Sequence, residues 1–386
     1  MIEERPAGFR PEGNPPISFH RTYVPPVSCD AVASALRSRH LRAGGSFTGK
    51  ARAHVGAHVG HDRVFLTNSC TSALEIAALA LDLGPEDEVI VPSFTFCATA
   101  TAFARQGARI VLADVDPGTM MVTAATLEAR LTSRTRAVVV VHYGGAAAPM
   151  AEIRALCDRR GVALVEDAAQ AYGAKQNGAA VGTAGLFAAY SFHETKIISS
   201  GHGGALVVNS DARVLRDRVE ELLARGTNFP AFQRQEVSHY EWTSVSSSFE
   251  MPDLNAALLY GQLRHLGGIL LKSRAIWAFY ERWLRHLPID ILRPDGQTLA
   301  NGYSFAFLAP DRDVARRVLA GAEELGLGMR SHYKPLHLSQ FAGRFPAGSC
   351  PGAEAGWDRL VRLPVHMDLS TGEAERVCAF LESRLA

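Results

Sequence analysis

The chain has 386 residues, of which 47% are hydrophobic and 20% charged, with 40 lysines and arginines against 39 aspartates and glutamates for a formal net charge of +1. That length exceeds one ordinary domain, and a chain of this size can bury roughly three quarters of its unfolded surface without metal or disulfide staples. The charge balance lacks the basic excess of a nucleic-acid binder, and no apolar run approaches the ~20 residues needed to span a bilayer.

In chain order, Met1–Pro16 is charged and proline-rich with no apolar core of a secretory signal, and is expected to be a flexible segment. Short apolar or β-branched runs follow at Val64–Thr67, Glu88–Val91, Arg109–Ala113, Ala137–His142, Val162–Glu166, Phe187–Phe192 and Gly204–Asn209. Helical stretches such as Ser72–Leu83 and Met150–Arg160 separate the earlier ones. Continuous apolar strands alternating with helices indicate an α/β fold with a mostly parallel seven-stranded sheet covered on both faces. The last two runs are joined by a short link, so one antiparallel strand is expected there. Ala212–Arg225 reads as a helix, and Asn228–Glu250 as a polar, aromatic, irregular loop. Asp253–His286 carries long helical periodicity, and Tyr303–Leu308, Asp313–Leu325 and Gly372–Leu385 read as strand, helix and closing helix. The division expected is a large α/β domain over 17–250 and a smaller α+β domain over 251–386 that begins with a long linking helix. Six scattered cysteines (Cys29, Cys70, Cys97, Cys157, Cys350 and Cys378) form no Cys-x-x-Cys pair. They read as reduced residues of a cytoplasmic enzyme.

Two runs imitate functional motifs. Gly44–Lys50 resembles a phosphate-cradling loop, but Ala51 stands where a magnesium-binding hydroxyl is required, and the preceding Leu36–Arg42 is basic and helix-like rather than a buried strand. His54, His58 and His61 recur at helical spacing without an acidic companion and read as a largely solvated face rather than a metal site.

The chemistry is concentrated elsewhere. Val162–Gln170 ends a buried strand in Asp167, where open α/β sheets place ligand-binding groups, and Lys196 follows one strand later in the run Ser191–Lys196. Small hydroxylated residues, Thr67–Ser72, stand between a strand and a helix, where free backbone N–H groups favour an anion. Pro92–Phe96 adds an aromatic, Phe94, at another strand end. A phosphate cradle, an aromatic platform, a strand-end carboxylate and a lysine make up the set that pyridoxal phosphate requires. The lysine joins the coenzyme as a Schiff base and the carboxylate keeps its pyridine nitrogen protonated.

These residues resemble the DegT/DnrJ/EryC1/StrS family of sugar aminotransferases, of aspartate-aminotransferase-like fold (type I). The landmarks are Glu166–Gln170, Ser191–Lys196, Arg225–Asn228 and His332–His337. Within the family the chain is most similar to the dTDP-4-amino-4,6-dideoxygalactose transaminases, through Pro92–Phe96, Val141–Tyr143 and the Phe-His-Glu-Thr-Lys form of the lysine motif. The resemblance implies that Lys196 anchors pyridoxal 5'-phosphate and shuttles the proton. It places Asp167 on the pyridine nitrogen, Gln170 near the phenolic oxygen and Phe94 on the ring, with Cys70, Thr71 and Ser191 at the phosphate. Asn228 would reach the phosphate of a neighbouring subunit, implying a homodimer with a shared active site. His332, Tyr333 and His337 would line the sugar-nucleotide channel, with His142 and His193 either nearby or engaged in structural hydrogen bonds. The implied reaction moves an amino group from L-glutamate to C4 of a dTDP-4-keto-6-deoxyglucose. Lys196 is expected to have its pKa lowered by burial near cationic groups. Alternatives are a 3-keto-sugar aminotransferase of the same family and a non-catalytic regulatory protein on the same fold. The dehydratase branch, which carries histidine in place of the lysine, is disfavoured by Lys196. Two departures stand out: His202 occupies the place of a frequent family glutamate in Ser200–Gly204, and Cys70 stands where glycine is frequent.

Overall fold

The computed structural model describes residues 15–345 and 348–385. Most of the expected flexible segment, residues 1–14, therefore lies outside the described residues.

Seven strands form the main sheet: β1 (Val64–Thr67), β2 (Glu88–Pro92), β3 (Arg109–Ala113), β4 (Thr135–Val141), β5 (Ala163–Asp167), β6 (Phe187–Ser191) and β7 (Gly204–Val208). Their order is β1-β7-β6-β5-β4-β2-β3. Neighbours from β6 through β3 are parallel, and β7 is antiparallel to both β6 and β1. Two antiparallel steps return β1 to the direction of the parallel set. The carboxyl ends of β1, β2, β4, β5 and β6 therefore open on one edge. Val138, Val139 and Val140 are wholly buried because helices cover both faces, which is why these strands read as unbroken apolar runs.

The helix Cys70–Ala80 packs on one face with Phe65, Leu74, Ile76 and Phe103. On the other, the helices Pro26–Ser38 and Ser46–Val59 lie under the helix Asp253–Arg264. Gly261 makes this approach possible: a Cβ there would stand 2.4 Å from the Cα of Ser28. The helix Asp253–Arg264 thus packs with the larger unit, although the expected boundary at residue 251 assigns it to the smaller. The change of unit occurs along the next helix, Leu266–Leu284, whose Ile269 joins the first core while Ile276, Tyr280 and Leu284 join the second. The long helical run expected over Asp253–His286 is broken at His265, between these two helices.

The smaller unit is an antiparallel three-stranded sheet, Asp290–Ile291, Phe305–Leu308 and Leu360–Leu363, covered by the helices Arg312–Glu324 and Thr371–Leu385. Arg312–Glu324 is capped at its N-terminus by Asp311, whose carboxylate accepts from the Val314 amide at 2.8 Å.

Candidate active site

The open edge of the sheet is built around three aligned backbones. Thr67 on β1 faces Gly204 on β7, and Gly204 faces Ser191 on β6. Beyond Thr67 the chain turns into the helix Cys70–Ala80 at Ser69, whose side chain accepts from the Ser72 amide at 3.0 Å. Among the described residues the amides of Cys70 and Thr71 donate to no protein acceptor. They point from the positive end of the helix towards the sheet edge. A Cβ at Gly204 would lie 2.5 Å from the Cys70 nitrogen, so only glycine lets β7 run this close to the helix start.

Asp167 closes β5 and is buried. Thr99 Oγ1 donates to its Oδ2 at 2.7 Å and the Ala169 amide to its Oδ1 at 3.1 Å. Burial pushes the carboxyl above its ordinary value, against these two bonds and the charge of Lys196, which favour the ionised form. The site therefore holds a carboxylate that lacks a full counter-ion, suited to a protonated ring nitrogen.

Lys196 lies in the turn between β6 and β7, its amide bonded to His193 O at 2.9 Å. The turn is held from below by Asn255, whose side chain donates to Ser200 O at 2.9 Å and to His202 O at 3.2 Å. Lys196 Nζ lies 5.5 Å from the ring centre of Tyr303. The expected lowering of its pKa is not found. Burial opposes the ammonium, but Tyr303, Tyr333, Cys70 and Asp167 outweigh it and hold the lysine above its ordinary value. Its nearest polar neighbours are acids and phenols rather than cations. Cys70 is driven strongly upward by burial and by Asp167, so its thiol stays neutral.

An aromatic wall completes the site. Phe94, buried after β2, meets Tyr143 edge-on at 5.1 Å and Tyr333 at 5.6 Å. Gln170 accepts from the Gly144 amide at 2.8 Å and donates to the Tyr333 hydroxyl at 3.1 Å. His332 stacks on Tyr333 with centroids 3.9 Å apart. One nitrogen of His332, Nε2, accepts from Arg362 at 2.5 Å, so the other, Nδ1, carries the proton and faces the Tyr143 hydroxyl at 3.2 Å. Burial and Arg362 push the His332 pKa far down, which leaves a neutral ring. Tyr303, Arg362, Thr99 and Asn255 were missed in the sequence because no local pattern marks them.

The remaining candidates stand apart from this cluster. Both polar ends of Asn228 are engaged within its own loop, donating to His239 O at 3.0 Å and accepting from the Glu241 amide at 2.8 Å. His337 is a brace between Ser93 Oγ at 2.5 Å and Glu354 Oε1 at 3.0 Å. His142 is structural: it accepts from the Ala148 amide and bonds Glu166, which also receives the amides of Gly182, Ala184 and Gly185. His193 contacts Thr195 at 3.0 Å and meets the exposed His202 edge-on at 5.6 Å, so the departure at His202 lies at the surface of the turn.

The two imitation motifs resolve physically. The helix after Gly45 receives the Asp253 carboxylate, which accepts from Thr48 N at 2.7 Å and Thr48 Oγ1 at 2.8 Å, and so fills any anion seat. The histidine face expected to be solvated is not one face at all. The helix ends at Val59 with Gly60 at φ 87°, so His61 turns away to Asn209, while His58 packs on Tyr172 at 4.5 Å and burial lowers its pKa to about 4. Among the described residues no group of three metal-ligating side chains converges, and no helix is long and apolar enough to cross a membrane.

Pyridoxal phosphate fits this donor set: two free helix amides and Ser191 for its phosphate, Phe94 and Asp167 for its ring, Lys196 for its aldehyde. The sequence pattern of the DegT/DnrJ/EryC1/StrS aminotransferase family matches residues 27–382. Among solved structures, the aminotransferase TlmJ from Streptoalloteichus hindustanus is 30% identical over 95% of this chain and 98% of its own, with a TM-score of 0.89. The sugar aminotransferase CalS13 from Micromonospora echinospora is 27% identical over 95% and 99%, with a TM-score of 0.86. The PLP-form of Spr1654 from Streptococcus pneumoniae, a putative sugar aminotransferase, shares the fold at 21% identity over 96% and 100%, with a TM-score of 0.89. The chain belongs to the DegT/DnrJ/EryC1/StrS aminotransferase family, whose members are sugar aminotransferases that work with pyridoxal phosphate.

Proposed function

We propose that the enzyme transfers the amino group of L-glutamate to C4 of dTDP-4-keto-6-deoxyglucose, giving a dTDP-4-amino-4,6-dideoxyhexose. The observation that carries an amino transfer is the meeting of Lys196, Asp167 and the free amides of Cys70 and Thr71 at one sheet edge. The choice of C4 rests on the likeness of Pro92–Phe96, Val141–Tyr143 and Phe192–Lys196 to the 4-amino-sugar branch of the family.

When bound, pyridoxal phosphate supplies an electron sink next to the reacting carbon. Lys196 Nζ would hold its aldehyde carbon and, when free, would take a proton from the donor α-carbon and later deliver one to the sugar C4. Asp167 holds the charge that keeps the sink effective, with Thr99 fixing the carboxylate in place. Gln170 and Phe94 orient the ring, and Tyr333 and His332 face the sugar. Glutamate would give up its amino group and leave as 2-oxoglutarate before the sugar enters, so the two substrates would use Lys196 in turn.

A homodimer in the cytoplasm with shared sites completes the reading. Its support is the loop after Asn228, where Tyr240, Trp242 and Val245 are exposed, an apolar surface that a second copy would cover. The proton spectrum of the product formed from glutamate and dTDP-4-keto-6-deoxyglucose tests the assignment. A small H3–H4 coupling gives the axial galacto amine, as the branch likeness implies, and a large one the gluco epimer. If no amino sugar forms at C4, the assignment fails and 3-keto substrates take its place.

A further inference from the structure

A cleft of about 390 Å³ reaches Lys196 without using the coenzyme set: among the described residues its wall includes none of Asp167, Phe94, Ser191 or Cys70. One side is the segment 20–23 from the start of the chain. The other comes from the helices Asp253–Arg264 and Leu266–Leu284, through Gln262 and Ser273. The early segment is pinned to the turn that carries Lys196. His20 Nε2 donates to Glu194 O at 2.5 Å, and Thr22 Oγ1 donates to the same carbonyl at 3.1 Å. Arg21, exposed and 3.5 Å from Asp368, stands at the solvent end.

His366 lines this cleft and is 8% exposed. Its Nε2 meets Ser18 O at 3.1 Å; a carbonyl only accepts, so Nε2 carries the proton and Nδ1 holds a lone pair. That Nδ1 is buried and has no partner among the described residues. A buried acceptor without a donor is costly, and ordered water normally meets such groups. Burial lowers the His366 pKa, with Arg21 and the facing His20 acting in the same sense, against the Ser18 carbonyl, Asp368 and Glu373. The ring is therefore neutral at neutral pH and free to accept. Ser199, Gln262 and Ser273 add polar groups to the wall. A water fills about 30 Å³ and needs about two to four polar partners, so the cleft has room and partners for a short chain of them.

Tyr303 shares the cleft with Lys196, whose Nζ lies 5.5 Å from its ring centre. Burial pushes the phenol upward, but Lys196 and then Arg362 outweigh it and draw the phenol below its ordinary value. Lys196 itself is held as an ammonium. An ammonium cannot take a proton from carbon, so one proton must leave Nζ before its proposed work begins. We propose that the cleft is a water-filled proton path for Lys196, in which Nζ hands a proton through Tyr303 and water to Nδ1 of His366, and from there to solvent. This rests on Lys196 acting by proton transfer, as in the reading above, and adds the route by which its charge is set. One N–H bond of the ammonium breaks and one forms at Nδ1; the imidazolium then returns the proton to bulk water, and nothing is oxidised or reduced. His366 lies outside the coenzyme set and acts only through Lys196.

The test uses protein loaded with pyridoxamine 5'-phosphate, which leaves Nζ free, and the variants His366→Gln and Ser273→Leu. Glutamine keeps a donor for Ser18 O and loses the titratable nitrogen, whereas leucine fills the cleft from the helix Leu266–Leu284. Nitrogen-15 NMR of lysine-labelled protein follows exchange of the Nζ protons with water; the chain has five lysines, and Lys196→Arg identifies the signal. Both variants are expected to slow this exchange by at least about tenfold, the scale of a lost acid–base group. Melting temperature and coenzyme affinity of His366→Gln stay at the wild-type values, whereas a merely structural histidine would move these and leave the exchange alone. Exchange at the wild-type rate in folded His366→Gln and Ser273→Leu would overturn the proposal. Slowing in Ser273→Leu alone would overturn it too, because His366 would not be the acceptor. If Ser273→Leu fails to fold, His366→Gln alone decides. The measurement contains neither amino donor nor sugar. Failure of every keto sugar as acceptor would therefore sink the proposed function and leave this path standing.

Discussion

Thr99→Val isolates how the Asp167 carboxylate is kept charged. Thr99 comes from the helix Ala98–Ala104, and its Oγ1 donates to Asp167 Oδ2 at 2.7 Å while Thr95 Oγ1 lies 2.8 Å behind it. Both threonines are buried, so no water replaces a lost donor. Valine keeps the shape and removes only the hydroxyl, leaving the Ala169 amide as the one hydrogen bond to the carboxylate. A hydrogen bond to a charged group is worth about 1.5–3 kcal/mol. Burial already pushes the Asp167 carboxyl upward, so the loss pushes it further and disfavours the form that holds a protonated pyridine nitrogen. The cost falls on coenzyme affinity, about ten- to a hundredfold. Titrating unloaded protein with pyridoxal phosphate by absorbance at neutral pH measures it, with Thr99→Ser restoring most of the affinity. Melting of the unloaded variant, where no cation waits for the carboxylate, changes far less than melting of the loaded one. Wild-type coenzyme affinity in Thr99→Val would refute the reasoning.

Three further outcomes follow from the same site. Because the native Asp167 pKa is raised, the unloaded protein has this group's stabilisation in full below the unfolded carboxyl pKa and loses it as pH rises through the native value. Asp167→Asn removes that slope in denaturant titrations across acidic pH, and an unchanged slope would contradict the assignment. Tyr303 is the first of the groups that hold Lys196 protonated, so Tyr303→Phe shifts the pH profile of covalent coenzyme capture to lower pH. Stopped-flow absorbance reads the shift, and superimposable profiles would exclude the role. Gly204→Ala sets a Cβ 2.5 Å from the Cys70 nitrogen, between backbones that cannot swing aside, at a cost of about 1–3 kcal/mol. Both the melting temperature and coenzyme affinity fall, whereas a variant with wild-type affinity would mean the cradle amides do not hold the phosphate.

The strands were legible because each carries a short run of apolar residues, and the candidate residues at the sheet edge because they lie at or just beyond the ends of such runs. Asp167, Ser191, Thr71 and Phe94 need only their local order in the chain to be placed on one edge. The histidine face failed for a local reason: helical spacing holds only while the helix lasts, and Gly60 ends it one residue before His61. The Lys196 pKa failed for a distant one. Its direction is set by Tyr303 and Tyr333, more than a hundred residues away in the chain, and no periodicity announces that they will meet it. That the helix Asp253–Arg264 packs with the larger unit was not legible, because it depends on the close approach of Gly261 to Ser28, more than two hundred residues away in the chain. Arg362 was illegible for the same reason as Tyr303, since its strand is four residues long and its partners come from residues 19, 303, 304 and 332.

These distant contacts also explain why the site sits where two units meet. The sheet edge of the larger unit brings together Asp167, Ser191, the turn that carries Lys196 and the free amides of Cys70 and Thr71, a set that fits the coenzyme. The chain beyond residue 300 supplies Tyr303, His332, Tyr333 and Arg362, which meet that edge at Lys196 and Gln170. The two sets are tied by a few polar links: Gln170 to Tyr333, Ser93 to His337, Ser93 O to the Leu336 amide.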